Sequence, residues 1–148
     1  MVLREFLGAN ISQTPSTPRT LWPLNGGAIS VDLHHPWTYL SINLGLGGSN
    51  PDFNISLTPE LLYVTGNGTY CLPLVKLPLN LVVVDGQEAS VQVFTSDDSG
   101  QALYNCADIT FARDAMAPAP EVCVNGTGVT GVILRQCLQF SAGCSEEF

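Results

Sequence analysis

The chain has 148 residues, a length that fits one domain with a real hydrophobic core. Lys and Arg number 5 against 13 Asp and Glu, a net charge of -8, and the five basic residues are scattered singly. No basic cluster exists to neutralise phosphates, which excludes a nucleic-acid binder. No apolar run approaches the roughly 18 residues that cross a bilayer, so no direct membrane insertion is expected.

In chain order, residues 13–19 (QTPSTPR) lack apolar side chains and read as an extended connector. The turn Trp22-Pro23-Leu24-Asn25-Gly26-Gly27 launches the first clear strand, Ala28–His34, where Ile29, Val31 and Leu33 alternate with polar residues. Trp37–Leu46 alternates again and ends in a Gly/Asn/Pro turn. Further strands are predicted at Phe53–Leu57, Leu61–Thr65, Thr69–Leu74, Leu79–Val84, Ala89–Thr95 and Ala102–Phe111. Turn signals recur about every ten residues between these short strands, and no segment has a helical period. The fold class is therefore all-β, an immunoglobulin-like antiparallel β-sandwich. The expected organisation is an N-terminal segment 1–12, a sandwich domain 13–128 and a tail 129–148 without clear alternation.

Five cysteines are present: Cys71, Cys106, Cys123, Cys137 and Cys144. None has CxxC spacing, which excludes the usual zinc and thioredoxin-type motifs. Cys137 and Cys144 are spaced for pairing across a short loop. Asn10, Asn54, Asn67 and Asn125 each open an Asn-x-Ser/Thr triplet. Together with the cysteines these acceptors tilt the reading toward a secreted glycoprotein, with Asn54, Asn67 and Asn125 near strand edges or turns. Residues 1–10 (MVLREFLGAN) are no signal peptide, because Arg4 and Glu5 interrupt any apolar stretch, so the natural start is expected further upstream.

Little in the chain suits catalysis. There is no Gly-x-Ser-x-Gly elbow and no phosphate cradle. Asp97 and Asp98, vicinal acids in a Ser/Gly turn, read as solvated loop charges. Trp22 and Trp37, each beside a turn, read as caps of the core in preference to a glycan-stacking surface. The constellation with most weight is His34-His35, the only histidines. Adjacent strand residues face opposite sides, so at most one of them joins a site. Imidazole suits copper, zinc or nickel but needs partners from elsewhere, and Asp108 is an attractive one. From spacing alone, two surface histidines in a bend is the stronger reading.

The segments WPLNGGAISVDLHHPW, NLGLG…FNISL, GNGTYCLP, VVDGQEASVQV and LYNCADITF, in this order, resemble the fungal Bim-type copper-acquisition factors, relatives of lytic polysaccharide monooxygenases. The resemblance spans roughly Asn10 to Gly128. It implies an immunoglobulin-like sandwich at the cell surface, commonly glycolipid-anchored, binding one copper ion in a variant histidine brace. By motif, the second histidine of that brace is His35 and the aspartate is Asp108. The third ligand, the mature N-terminal histidine, is expected upstream of this sequence, so the brace is incomplete as written. Cys71 and Cys106, each inside a family motif, would form a disulfide, and Cys123 would pair with a cysteine upstream. The implied role is extracellular copper acquisition or homeostasis, without enzymatic activity, with a membrane copper transporter as the candidate recipient. The alternative is a metal-free cell-wall or surface adhesion glycoprotein.

Overall fold

The computed structural model describes residues 2–3, 19–49 and 51–134. Among these the secondary structure is all strand: β1 (Val2–Leu3), β2 (Thr20–Trp22), β3 (Gly26–Leu33), β4 (Trp37–Leu46), β5 (Ile55–Ser56), β6 (Leu62–Thr65), β7 (Gly68–Lys76), β8 (Glu88–Asp97), β9 (Ala102–Phe111) and β10 (Thr130–Ile133). A large sheet has the order β10-β6-β4-β8-β9-β2, with β5 also on β4, and a small sheet has the order β1-β3-β7. The expected β-sandwich is what forms. Pairing is antiparallel except for β1 with β3 and β2 with β9.

The core follows from alternation. Leu40, Ile42 and Leu44 of β4, Ala89, Val91 and Val93 of β8, and Ile109 and Phe111 of β9 point inward and are almost fully buried. They meet Ile29, Val31 and Leu33 of β3 and Tyr70 and Val75 of β7. A side chain of this size contributes about 1.5–3 kcal/mol when taken out of water. Trp22 closes one end, tilted against Phe111 and stacked over Gly27. It caps the core as its sequence position suggested.

Three expectations change. Leu79–Val84 is not a strand. Its Val83 is buried, while Leu79, Val82 and Val84 are exposed, and Leu81 N–H bonds the Pro78 carbonyl at 3.0 Å in a turn. Its apolar run belongs to a loop that dips one side chain into the end of the core. Conversely, β10 lies in the segment read as a formless tail, pairing Thr130–Ile133 with β6. That places part of the 129–148 segment inside the sandwich.

The disulfide also differs from the expected pairing. Cys71 bonds Cys123, with Cα atoms 5.3 Å apart, and Cys106 is free and exposed. The reason is topological. Cys71 sits on β7 in the small sheet, where the 123–128 segment crosses the strand edge. There Asn125 Oδ1 accepts from Cys71 N–H (2.8 Å) and Gly126 N–H bonds the Thr69 carbonyl (2.8 Å). Cys106 sits on β9 in the large sheet, on that sheet's outward face. Cys137, Cys144 and Asn10 lie outside the described residues.

Candidate metal centre

His34-His35-Pro36 carries the chain from β3 in the small sheet to β4 in the large one. Proline disfavours helical geometry in the residue before it, and His35 and Pro36 form the bend of this crossing. The crossing is tied down by Gly66 N–H, which bonds the Pro36 carbonyl at 2.8 Å. Gly66 has a positive φ of 92° and a Cβ there would strike the Gly128 carbonyl, so only glycine serves at this turn.

Beside this crossing lies the β8–β9 turn. The register of β4 with β8 sets Asp97 opposite Thr38, three residues after His35. Gly100, at φ 78°, closes the turn with its N–H on the Asp97 carbonyl at 3.1 Å. The Asp97 side chain accepts from both the amide (2.8 Å) and the hydroxyl of Ser99. An Asp whose side chain bonds the backbone two residues on is the Asx turn that a Ser/Gly-rich loop favours.

The result is a histidine held between two carboxylates. His35 Nε2 lies 3.1 Å from Asp97 Oδ2, and Nδ1 lies 2.8 Å from Asp98 Oδ1. One nitrogen or oxygen from each of the three residues falls within 4.8 Å of the others. Side-chain exposure is graded: 2% for Asp97, 31% for His35 and 40% for Asp98. The Ser99 hydroxyl holds the Asp97 carboxyl below its ordinary range, with the Ser99 amide and the His35 charge adding to the effect against desolvation. The reading of Asp97 as a solvated loop charge is thus corrected, whereas Asp98 is open to solvent.

Chemically, one imidazole and carboxylate oxygens make a donor set suited to a divalent ion such as Cu(II), which takes nitrogen and oxygen ligands in tetragonal geometry. A ligating histidine usually presents its second ring nitrogen to a carboxylate that fixes its orientation. Asp97, buried and pinned by Ser99, fills that orienting place. His35 Nδ1 and the Asp98 carboxylate meet at the exposed side of the cluster, where an ion can reach them.

Asp108, the other residue carried over by motif, is elsewhere. It is buried on β9, paired in register with Ser90, which lies opposite Gly45 on β4. Seven residues of β4 separate that level from Thr38 beside the His35 site, about 23 Å along an extended strand. The Ser90 hydroxyl donates to Asp108 Oδ1 at 2.7 Å. The structure does not bring His35 and Asp108 to one ion. His34 is exposed and takes no part in the cluster. Sequence reading missed Asp97 and Asp98 because their nearness to His35 depends on strand register. The Asp97/Ser99 spacing of an Asx turn was the one local hint that Asp97 was held in place.

The chain matches a family model described as copper acquisition factor BIM1-like over residues 8–128. It is 41% identical over 108 residues to lytic polysaccharide monooxygenase-like protein X325 of Aspergillus fumigatus, covering 66% of this chain and 45% of that protein. A lytic polysaccharide monooxygenase-like protein of Emericella nidulans is 42% identical over 107 residues, 66% of this chain and 44% of its own. The X325 protein of Hypocrea jecorina is 38% identical over 130 residues, 76% of this chain and 56% of its own. The chain spans about half the length of these relatives. No solved structure matches it significantly.

Proposed function

Since the chain belongs to the family of BIM1-like copper acquisition factors, we propose that it is an extracellular copper carrier whose cargo ion is held by His35 and Asp98, with Asp97 positioning the imidazole. The observation that carries this reading is the His35 ring fixed between two carboxylates, with all three donors within 4.8 Å. Copper here is cargo. Two protein donors leave coordination positions for further ligands, and the family resemblance suggests the mature N-terminal histidine of the full-length protein as one of them. A site of this kind favours holding and handing over the ion, with a membrane copper transporter as the fitting recipient, over oxidising a polysaccharide.

Two observations support an extracellular setting. The Cys71–Cys123 bond belongs with oxidising compartments. Asn54, Asn67 and Asn125, the candidate glycan acceptors, are all exposed.

The test is competition for Cu(II) against a chelator, using the full-length protein. His35→Ala and Asp98→Asn each weaken copper binding by about tenfold or more, the range expected when a ligand or its orienting partner is removed. Asp108→Asn leaves it unchanged. Copper binding that is untouched in His35→Ala overturns the assignment. Release of oxidised oligosaccharides in the presence of a reductant would overturn the carrier role.

A further inference from the structure

The outward face of the large sheet carries a second feature that the copper reading does not use. Residues alternate along a strand, so the inward set of β4, β6, β8 and β9 leaves Trp37, Tyr39, Tyr63, Phe94 and Tyr104 on the other side. Their rings touch. Trp37 and Tyr39 have centroids 5.3 Å apart, Tyr39 and Tyr63 5.3 Å, Trp37 and Tyr63 6.2 Å, and Phe94 and Tyr104 5.1 Å. Register sets Tyr39 beside both Tyr63 and Ser96, and Phe94 beside both Ser41 and Tyr104. Two ring clusters therefore lie side by side across four adjacent strands, with the hydroxyls of Ser41 and Ser96 between them. Tyr104 is 47% exposed and the other four rings are partly so.

We propose that this aromatic face is a binding platform for a neutral, β-linked polysaccharide. Charge is the first argument. In a chain of net charge -8, the outward positions from Trp37 to Asn43 on β4, Tyr63 and Thr65 on β6, Gln92 to Ser96 on β8, and Ala102 to Cys106 on β9 carry no acidic or basic residue. A polyanion would be repelled by the molecule as a whole and find no cation on the face. An uncharged ligand meets neither obstacle.

Composition is the second argument. Protein–protein interface cores are enriched in Arg and Met as well as aromatics and are depleted in Ser. This face has no Arg or Met among those outward positions and does have Ser41, Ser96, Asn43 and Gln92. β-Linked pyranose rings of gluco configuration keep all their ring substituents equatorial, which leaves flat C–H faces to lie on aromatic rings. The rim hydroxyls are then within reach of serine and amide side chains. Because the rings already pack on one another, little side-chain freedom is lost on binding. Trp37 thus belongs to a stacking surface after all, whereas Trp22 is buried in the core.

The platform needs no metal, so its test is separable from the copper assignment. The glycosylated full chain is mixed with insoluble β-1,3-glucan, cellulose or chitin, and depletion from solution is measured. Retention on at least one of these is expected, with the choice among them identifying the linkage and sugar. Tyr104→Ala and Tyr63→Ala each reduce retention by about tenfold, the loss of one well-placed aromatic contact. Melting temperature is followed in parallel, and Tyr104→Ala leaves Cu(II) affinity unchanged. No retention on any of the three polymers overturns the proposal, as does retention that Tyr104→Ala does not alter. A dimer in light scattering that Tyr104→Ala returns to monomer assigns the face to a second copy and also overturns it.

Discussion

Asp97 shows how one residue can be read correctly as to type and wrongly as to role. Its sequence surroundings, Ser96-Asp97-Asp98-Ser99-Gly100, describe a polar turn, and a turn does form. What the sequence does not display is that the first aspartate points inward, continuing the buried set of Val93 and Thr95 on β8. Buried and ionised, it is held by Ser99 and faces His35, and its folded-state pKa lies below the ordinary value. A carboxylate with a depressed pKa stabilises the fold above its unfolded pKa and loses that contribution as pH falls through the folded value. Asp97→Asn should therefore lower stability by about 2 kcal/mol at neutral pH, the scale of hydrogen bonds to a charged group. The gap between parent and variant should close on acidification below the usual carboxylate range, as followed by denaturant melts at stepped pH. A gap that stays constant with pH would show that Asp97 acts through packing alone. The thiol of Cys106, on the outward face of β9, illustrates the opposite case: partial desolvation pushes its pKa up, and the Asp108 charge adds to this against a hydrogen bond with Gln92.

Among the elements, the long strands were legible because alternation and burial coincide. β3, β4, β8 and β9 fall close to their expected places, each with every second residue, mostly hydrophobic, turned into the core. β2 and β10, of 3 and 4 residues, are too short to show a period, and their pairing with β9 and β6 is fixed by tertiary contacts. The Leu79–Val84 loop misled in the other direction, since its β-branched, apolar run resembles a strand but pairs with none among the described residues. The site was half visible: the family motif singled out His35, the histidine before the proline, where spacing alone left a bland bend, but its carboxylates were hidden, because a register spanning some sixty residues brings them there. The start of β3 offers a sharp check on packing. A Cβ on Gly27 would strike the Trp22 indole nitrogen and its neighbouring ring carbons, with no space to relax inside a filled core. Gly27→Ala should cost about 1–3 kcal/mol through overpacking, measurable as a lower denaturation midpoint with an unchanged m-value.

For the molecule as a whole, the single described disulfide closes a loop with a sequence separation of 52 residues. Chain-entropy reasoning assigns about 4 kcal/mol to a loop of that length. Replacing Cys71 and Cys123 together by Ala should reduce stability by an amount of that order, while Cys106→Ala should leave it nearly unchanged. Equal losses from the two changes would contradict the pairing seen here. The same loop has a consequence for how the protein withstands proteases. It encloses β8, β9 and the turn that carries Asp97 and Asp98, together with Lys76 and Arg113, both on the surface. A trypsin-like enzyme that cuts the backbone after either of those residues opens the chain but frees nothing, because both cut ends stay fastened through Cys71–Cys123. A nicked molecule in a hydrolase-rich surrounding would keep the histidine and its two carboxylates side by side until a reductant reached the sulfur bridge.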